Sequence, residues 1–487
     1  RRVRWHRQIG EHFAAVYGGR APEVAGELAV HFEQGRDYRR AVSYRQQAGE
    51  QALQQSAYQK ALGHGWAGLA LLVQLPAAAE HGHLELKLRQ LVNVALAATR
   101  GYGDNDLEEN LQRARQLCRE LGDEAALVPV VVGLTRLHLF RANRAVTEEL
   151  VKQENFLAER VHDAQLLVQL HTQLATTEMV RGRHARAADH YQQVRAHYDP
   201  QDRQLLWYSF AADPLVVAFG TSGVSVGLMG WPAQGWDRVA QGLVHAEGLA
   251  QGLTLAQALF YAAMMKNLRG ERDEAWQFAQ KMSALAREYE LPLLARWSVL
   301  LQGGMAVQRG SAEEGVATIT TALHEYRATG AQLLAPYFLS FLAEGYRQQG
   351  KIEEALQVVG EALSLTATNV DVFWEAELQR LKGTLTLQSH TTPRRATGKS
   401  KTGHRMPRAQ TPEAEAEEWF LKAIEITRRQ EAKLLELRAV MSLSRLWHRQ
   451  GKKAEAYQLL SEIYRWFTEG FDTKDLREAE ALLAEWS

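Results

Sequence analysis

Several short constellations in this 487-residue sequence carry residue types capable of chemistry. Gly223-Val224-Ser225-Val226-Gly227 has the letters of a nucleophile elbow, in which a strained strand-to-helix turn presents a serine to a general base. Thr397-Gly398-Lys399-Ser400 ends like a loop whose backbone amides cradle phosphates. His81-Gly82-His83 with Glu85 offers candidate metal ligands. Gly101-Tyr102-Gly103 has two of the three glycines of a dinucleotide fingerprint. Each lacks its surroundings. Ser225 has helical neighbours, not an α/β sheet, so small residues for close helix packing explain the motif better than a hydrolase. The phosphate loop needs a glycine where Pro393 stands, together with a preceding buried strand. No second His or Cys cluster has ligand spacing, so His81 and His83 read as turn residues. No catalytic residue, metal site or cofactor is expected.

Composition narrows the partners. Lys and Arg total 57 and Asp and Glu total 57, so no global field favours nucleic acid or an anionic membrane. The single cysteine, Cys118, excludes an internal disulfide and fits a reducing cytoplasm. It stands in a helical run, as a packing residue. No signal peptide is visible, because Arg1-Arg2-Val3-Arg4 has no apolar core behind it, and the absence of an initial Met suggests a fragment of a longer protein. Residues 214–236 carry no charge, but Pro214, Pro232 and intervening glycines break the run, which reads as buried helix and not as a membrane span.

The elements that must position any site are helical. Gly230, Gly270, Gly310 and Gly350 recur every 40 residues, with Gly235, Ala275, Gly315 and Ala355 each five positions later. Ala335, Phe338, Leu339, Leu342 and Tyr346 trace one buried helical face, and Ile352, Ala355, Leu356, Val359 and Leu363 repeat the offsets after Gly350. Each unit is therefore a helical hairpin that buries its apolar face against its neighbours. Ser311 and Glu314 read as a capping box. Further hairpins turn at Gly35–Tyr38, Thr99–Asp104, Arg141–Asn143, Gly182 and Gly451. Extra residues around Tyr198-Asp199-Pro200 are expected to bend the array or cover its surface. Residues 389–411, with six basic residues and no acid, read as a disordered insertion. The helix over Asp475–Trp486 reads as a polar cap. The expected fold is all-α, a superhelical solenoid of about ten hairpins. It divides into an N-terminal amphipathic helix (1–22), solenoid (23–388), insertion (389–411), and final hairpins with a cap (412–487).

Leu339, Leu342, Ala343, Tyr346, Gly350, Ala355, Val359 and Ala362 resemble the tetratricopeptide (TPR) consensus phase for phase, with a longer unit. Arg7–Glu11, His31–Tyr38, Arg100–Gly103 and Trp466–Asp472 resemble the C-terminal TPR regions of bacterial STAND/AAA-type regulatory ATPases. In such proteins an ATPase is often fused to a class III adenylate or guanylate cyclase, a kinase or a DNA-binding domain. The resemblance implies a non-catalytic, cytoplasmic arm that senses a ligand or docks a protein, with residues 1–22 contacting an upstream ATPase module. It further implies a concave groove lined by Gln169, Thr172, Thr176, Gln257, Phe260, Met264, Asn267, Trp297, Tyr337, Ser340, Glu344 and Arg347, holding a protein, peptide or small inducer. The alternatives are a hydrolase using Ser225 and nucleic-acid binding through the basic residues at 394–408.

Overall fold

The unit of the fold is a hairpin closed by one left-handed residue. In the computed structural model, which describes residues 1–75, 79–201, 212–249, 251–389 and 411–487, the glycines of the 40-residue repeat take φ between 75° and 105°. At Gly350 the chain reverses so that the Lys351 amide donates to the Tyr346 carbonyl at 2.9 Å and the Gly350 amide to Arg347 at 3.0 Å. This is the Schellman closure, which satisfies carbonyls that a helix end leaves without partners. Where the repeat lacks glycine, Arg36, Ala142, Glu290 and Glu431 adopt the same left-handed backbone. The expected Ser311–Glu314 capping box does not form as such: Ser311 starts the helix, but its side chain accepts no cap hydrogen bond. Its amide is committed to the Ala306 carbonyl at 2.9 Å as the last link of the preceding turn.

Helix α1 (Arg2–Tyr17) leads into the hairpin α2 (Ala25–Gln34) and α3 (Tyr38–Gln54), followed by α4 (Tyr58–Leu72). Four hairpins come next: α5 (Ala79–Thr99) with α6 (Asn105–Leu121), α7 (Glu124–Phe140) with α8 (Arg144–Arg160), α9 (Ala164–Val180) with α10 (His184–His197), and α11 (Pro214–Leu228) with α12 (Pro232–Leu249). The regular centre continues as α13 (Gly252–Arg269) with α14 (Arg272–Glu288), α15 (Pro292–Gln308) with α16 (Ala312–Ala328), and α17 (Ala335–Gln348) with α18 (Ile352–Thr368). The array ends with α19 (Glu375–Ser389) and α20 (Pro412–Gln430), α21 (Lys433–Arg449) and α22 (Lys453–Tyr464), and α23 (Lys474–Trp486). The fold is an all-helical, TPR-like solenoid. Residues 390–410, including Thr397–Ser400 and the basic residues at 394–408, lie outside the described residues, as do 202–211.

The two helices of a hairpin occupy different layers. Outer α14 buries only Ala275, Ala279, Met282 and Ala286, one narrow stripe. Inner α13 is buried on almost every face from Leu253 to Arg269. Inner α11 is likewise enclosed along its length, which accounts for its uncharged sequence; among the described residues no helix is long and apolar enough to cross a membrane. Gly223, Gly227 and Gly235 let α11 and α12 approach so closely that a Cβ on Gly235 would stand 2.6 Å from the Gly223 carbonyl oxygen. Ser225 lies between these glycines in mid-helix, fully buried and without a hydrogen-bond partner. It is a packing residue on α11 and not a nucleophile on an exposed turn, which removes the hydrolase alternative.

The inner layer is shared between successive turns of the superhelix. The Gln332 and Leu333 amides both donate to the Phe140 carbonyl, at 2.7 and 3.3 Å, and the Val372 and Phe373 amides to the Val180 carbonyl, at 2.8 and 3.0 Å. Arg438 donates to the Leu268 carbonyl at 3.1 Å, 170 residues away. The Glu469 carboxylate accepts from the Ala233 and Gln234 amides at 2.9 and 3.1 Å, capping the start of α12 from 236 residues away. Turn thus rests on turn after roughly five hairpins, and the interior between them closes into a core. The terminal helix is not merely a polar cap: Leu476 and Ala479 are buried, and Arg438 holds its Asp475 at 2.7 Å.

Candidate functional site

Two spaces bordered by the described inner-face residues have opposite character. The first is mainly apolar, about 90 Å³, and lies between two superhelical turns. Ala97, Ala98, Tyr102, Phe140 and Val180 come from the earlier turn, and Leu293, Leu294, Trp297, Leu333 and Leu334 from the later one. A chain of aromatic rings crosses from one to the other: Tyr102 lies 4.8 Å from Phe140, Phe140 stacks on Trp297 at 5.7 Å, and Trp297 lies 4.7 Å from Phe260. Among the described residues of this wall, Arg136 is charged. Arg136, 6% exposed, donates to Gln173 Oε1 at 3.1 Å and to the Tyr102 hydroxyl at 3.2 Å. Burial lowers its pKa, with Tyr102 opposing that effect.

The loop that closes this cavity is held by a buried carboxylate. Leu334 has φ 63°, a left-handed conformation costly for a side-chain-bearing residue. Its amide donates to Asp371 Oδ2 at 2.6 Å, and the Tyr326 hydroxyl donates to the Leu333 carbonyl at 2.9 Å. Burial pushes the Asp371 carboxyl up to about 7, with the Leu334 amide pulling it down.

The second space, about 410 Å³, is a polar cleft lined mainly by α17, α19, α21 and α23, with Asn267 of α13, Arg272 of α14 and Gln308 of α15. Six cationic side chains (Arg272, Arg347, Arg380, Arg438, Arg445 and Lys474) face four anionic ones (Glu344, Glu377, Asp475 and Glu478) across it. The pairs Glu344–Arg347 and Glu377–Arg380 both close at 2.6 Å, and Arg438–Asp475 at 2.7 Å. Burial disfavours the Glu377 charge, but Arg380 more than offsets this and holds the carboxyl below its usual range. Burial likewise opposes the Glu344 charge, and hydrogen bonds and charge from Arg347 outweigh it. At neutral pH the wall is a lattice of ion pairs with an excess of positive charge.

Thr176, Gln257, Phe260 and Trp297 line the apolar cavity, whereas Asn267, Ser340, Glu344 and Arg347 line the polar cleft. Tyr337 is buried, its hydroxyl accepting from Asn267 Nδ2 at 3.2 Å. Gln169, Thr172 and Met264 are buried but line neither space; the Thr172 hydroxyl donates to the Val168 carbonyl one helical turn back, at 2.7 Å. The residues expected to line one concave groove are therefore divided between two spaces and the core, because the next superhelical turn packs against them. Sequence reasoning misses Arg136, Tyr102, Glu377, Arg380, Arg438 and Arg445. Two signals point toward them: an arginine inside the apolar run 128–140, and Glu-x-x-Arg at both 344–347 and 377–380.

The remaining motifs have structural places. His81, Gly82, His83 and Glu85 lie in the first turns of α5 and not in a turn, and Glu85 accepts from Arg89 and Arg113 at 2.8 and 3.2 Å. Gly103 faces the later turn of the superhelix, where a Cβ would meet the Thr329 carbonyl oxygen at 2.1 Å. Cys118 is buried in α6, and burial pushes its thiol up to about 11, which leaves it protonated and unreactive at neutral pH.

No family model matches the chain. An uncharacterized protein of Rhizobium meliloti (strain 1021) is 22% identical over 230 residues, which is 47% of this chain and 22% of that protein. The chain thus matches only about a fifth of that relative's length. Among solved structures, a Rap protein complexed with competence and sporulation factor is similar at 12% identity and TM-score 0.48, over 71% of this chain and 99% of that one. A STAND protein with a tetratricopeptide repeat sensor, from Pyrococcus horikoshii, is similar at 14% identity and TM-score 0.40, over 84% of this chain and 53% of that one.

Proposed function

We propose that the chain is a non-catalytic docking and sensing arm whose polar cleft binds an extended, acidic segment of a partner protein. The supporting observation is the cleft itself, in which α17, α19, α21 and α23, together with Arg272 of α14, present paired charges with cations in excess. A peptide backbone can exchange hydrogen bonds with such side chains, and acidic side chains complement the surplus charge. The proposed setting is a larger bacterial, cytoplasmic signalling ATPase. The exposed apolar residues of α1, among them Trp5 at 65% and Val16 at 65% exposure, would pack against its upstream module. Binding of a partner segment or of a small inducer would then shift the arm between two arrangements and alter its restraint on that module.

The test is an array of peptides probed with the purified chain and with Arg347→Gln and Arg445→Gln variants. Acidic peptides are expected to be retained by the parent chain, with affinity falling about tenfold or more in each variant and on raising salt. Equal retention by parent and variants would remove the cleft from the reading. ATPase activity of a full-length protein that does not respond to a bound peptide would remove the sensor role.

A further inference from the structure

We infer that one end of the polar cleft, between Arg272 and Lys474, is a subsite for a phosphoryl group borne by a side chain of the docked segment. The inference rests on the docking reading of the cleft and adds to it the charge of the residue recognised. Pairing within the wall locates the subsite. The ion pairs of Glu344, Glu377 and Asp475, together with Arg445–Glu478 at 2.5 Å, engage the four carboxylates of the wall. Arg272 and Lys474 are the two cations of the wall left without an acidic partner among the described residues. Acids close to them in sequence are committed elsewhere: Glu271 and Asp472 to Arg269, at 2.5 and 2.7 Å, and Asp273 to Arg309 at 3.3 Å. The excess positive charge of the cleft is therefore gathered at this pair.

The two cations share one end of the cleft. Lys474 is exposed, and it packs so closely on Gly270 that a Cβ on that glycine would stand 2.5 Å from its own Cβ. Arg272 follows Gly270 by two residues, at the start of α14. Its Nη1 donates to the Gln308 carbonyl, a neutral acceptor that orients the guanidinium without cancelling its charge, and Nε and Nη2 have no partner among the described residues. A carboxylate brings one negative charge to such a pair. A phosphoryl group brings close to two at pH ~7, with three acceptor oxygens, and so matches both cations. Asn267, one turn before Gly270, favours a peptide as the carrier. Its Oδ1 is buried without a hydrogen-bond partner, while its Nδ2 is held on the Tyr337 hydroxyl. A peptide offers a backbone N–H for that oxygen as well as a phosphoryl group for the cations, whereas inorganic phosphate offers the charge without the backbone donor. The bound group would also tie α14 to α23, along the seam that Arg438 and the Leu268 carbonyl already close.

Calorimetry on the whole chain tests the assignment, with three probes: hexaglutamate, hexaglutamate carrying phosphoserine at one position at a time, and inorganic phosphate. At one or more positions phosphoserine is expected to tighten binding at least about fivefold over glutamate. Lys474→Gln and Arg272→Gln should each reduce that gain to about twofold or less. Arg347→Gln, at a residue already paired with Glu344, should weaken both peptides together and preserve the gain. Inorganic phosphate should bind more weakly than the phosphopeptide. Hexaglutamate bound with no gain from phosphoserine at any position, a gain that survives Lys474→Gln and Arg272→Gln, or a gain lost equally in Arg347→Gln would overturn the subsite and leave the docking reading standing. Inorganic phosphate bound as tightly as the phosphopeptide would overturn the peptide as carrier. Failure of every peptide to bind would remove the docking reading and this inference with it.

Discussion

At the scale of single residues, the decisive positions are those where one turn of the superhelix touches the next. Gly103 is the sharpest case, since any Cβ there must displace the backbone at Thr329. Gly103→Ala is expected to destabilise the chain by about 2–4 kcal/mol, measured by urea unfolding, and to speed exchange at Gln332. Asp371 gives a pH signature. Its folded pKa, about 7, lies above the usual carboxylate value, so the folded state holds a proton that the unfolded state releases. The stability this contributes is complete below the unfolded pKa and is lost as pH rises through about 7. Asp371→Asn keeps an acceptor for the Leu334 amide and removes the ionisation. The variant should match the parent near pH ~4 and exceed it by about 3–4 kcal/mol near pH ~8. A constant difference across that range would show that Asp371 titrates normally. Neither contact is visible in the sequence, because the partner of each residue lies in another hairpin or loop.

At the scale of the element, the hairpins are legible because their determinants are local. The 40-residue glycine spacing fixes the left-handed closures, and the apolar offsets fix which stripe each outer helix buries. The capping box at Ser311 fails because the same residue serves the preceding turn, a conflict that letters alone do not display. His81 and His83 look like a turn, yet they belong to α5, which runs on through Gly82. The segment Trp466–Asp472 acts as an element in its own right. Glu469 caps α12, Trp466 packs on Trp231 at 5.4 Å, and Asp472 pairs with Arg269. Glu469→Ala should cost about 1 kcal/mol and speed exchange at the Ala233 and Gln234 amides specifically. Unchanged exchange there would mean that the cap contributes nothing in solution.

For the whole molecule, a solenoid that coils onto itself differs from an open one in where binding can occur. Residues from the expected groove set are shared between the two spaces. What periodicity does not convey is superhelical pitch, which depends on small rotations accumulated over successive hairpins. Pitch decides that Gln169, Thr172 and Met264 are packed away while Arg380, Arg438 and Arg445 face the cleft. The most direct test of the docking reading is hydrogen exchange on the whole chain with and without an acidic peptide selected on the array. Protection confined to the inner faces of α17, α19 and α21 is the expected result. Protection confined to the outer helices α18, α20 and α22, with the inner helices unchanged, would contradict it.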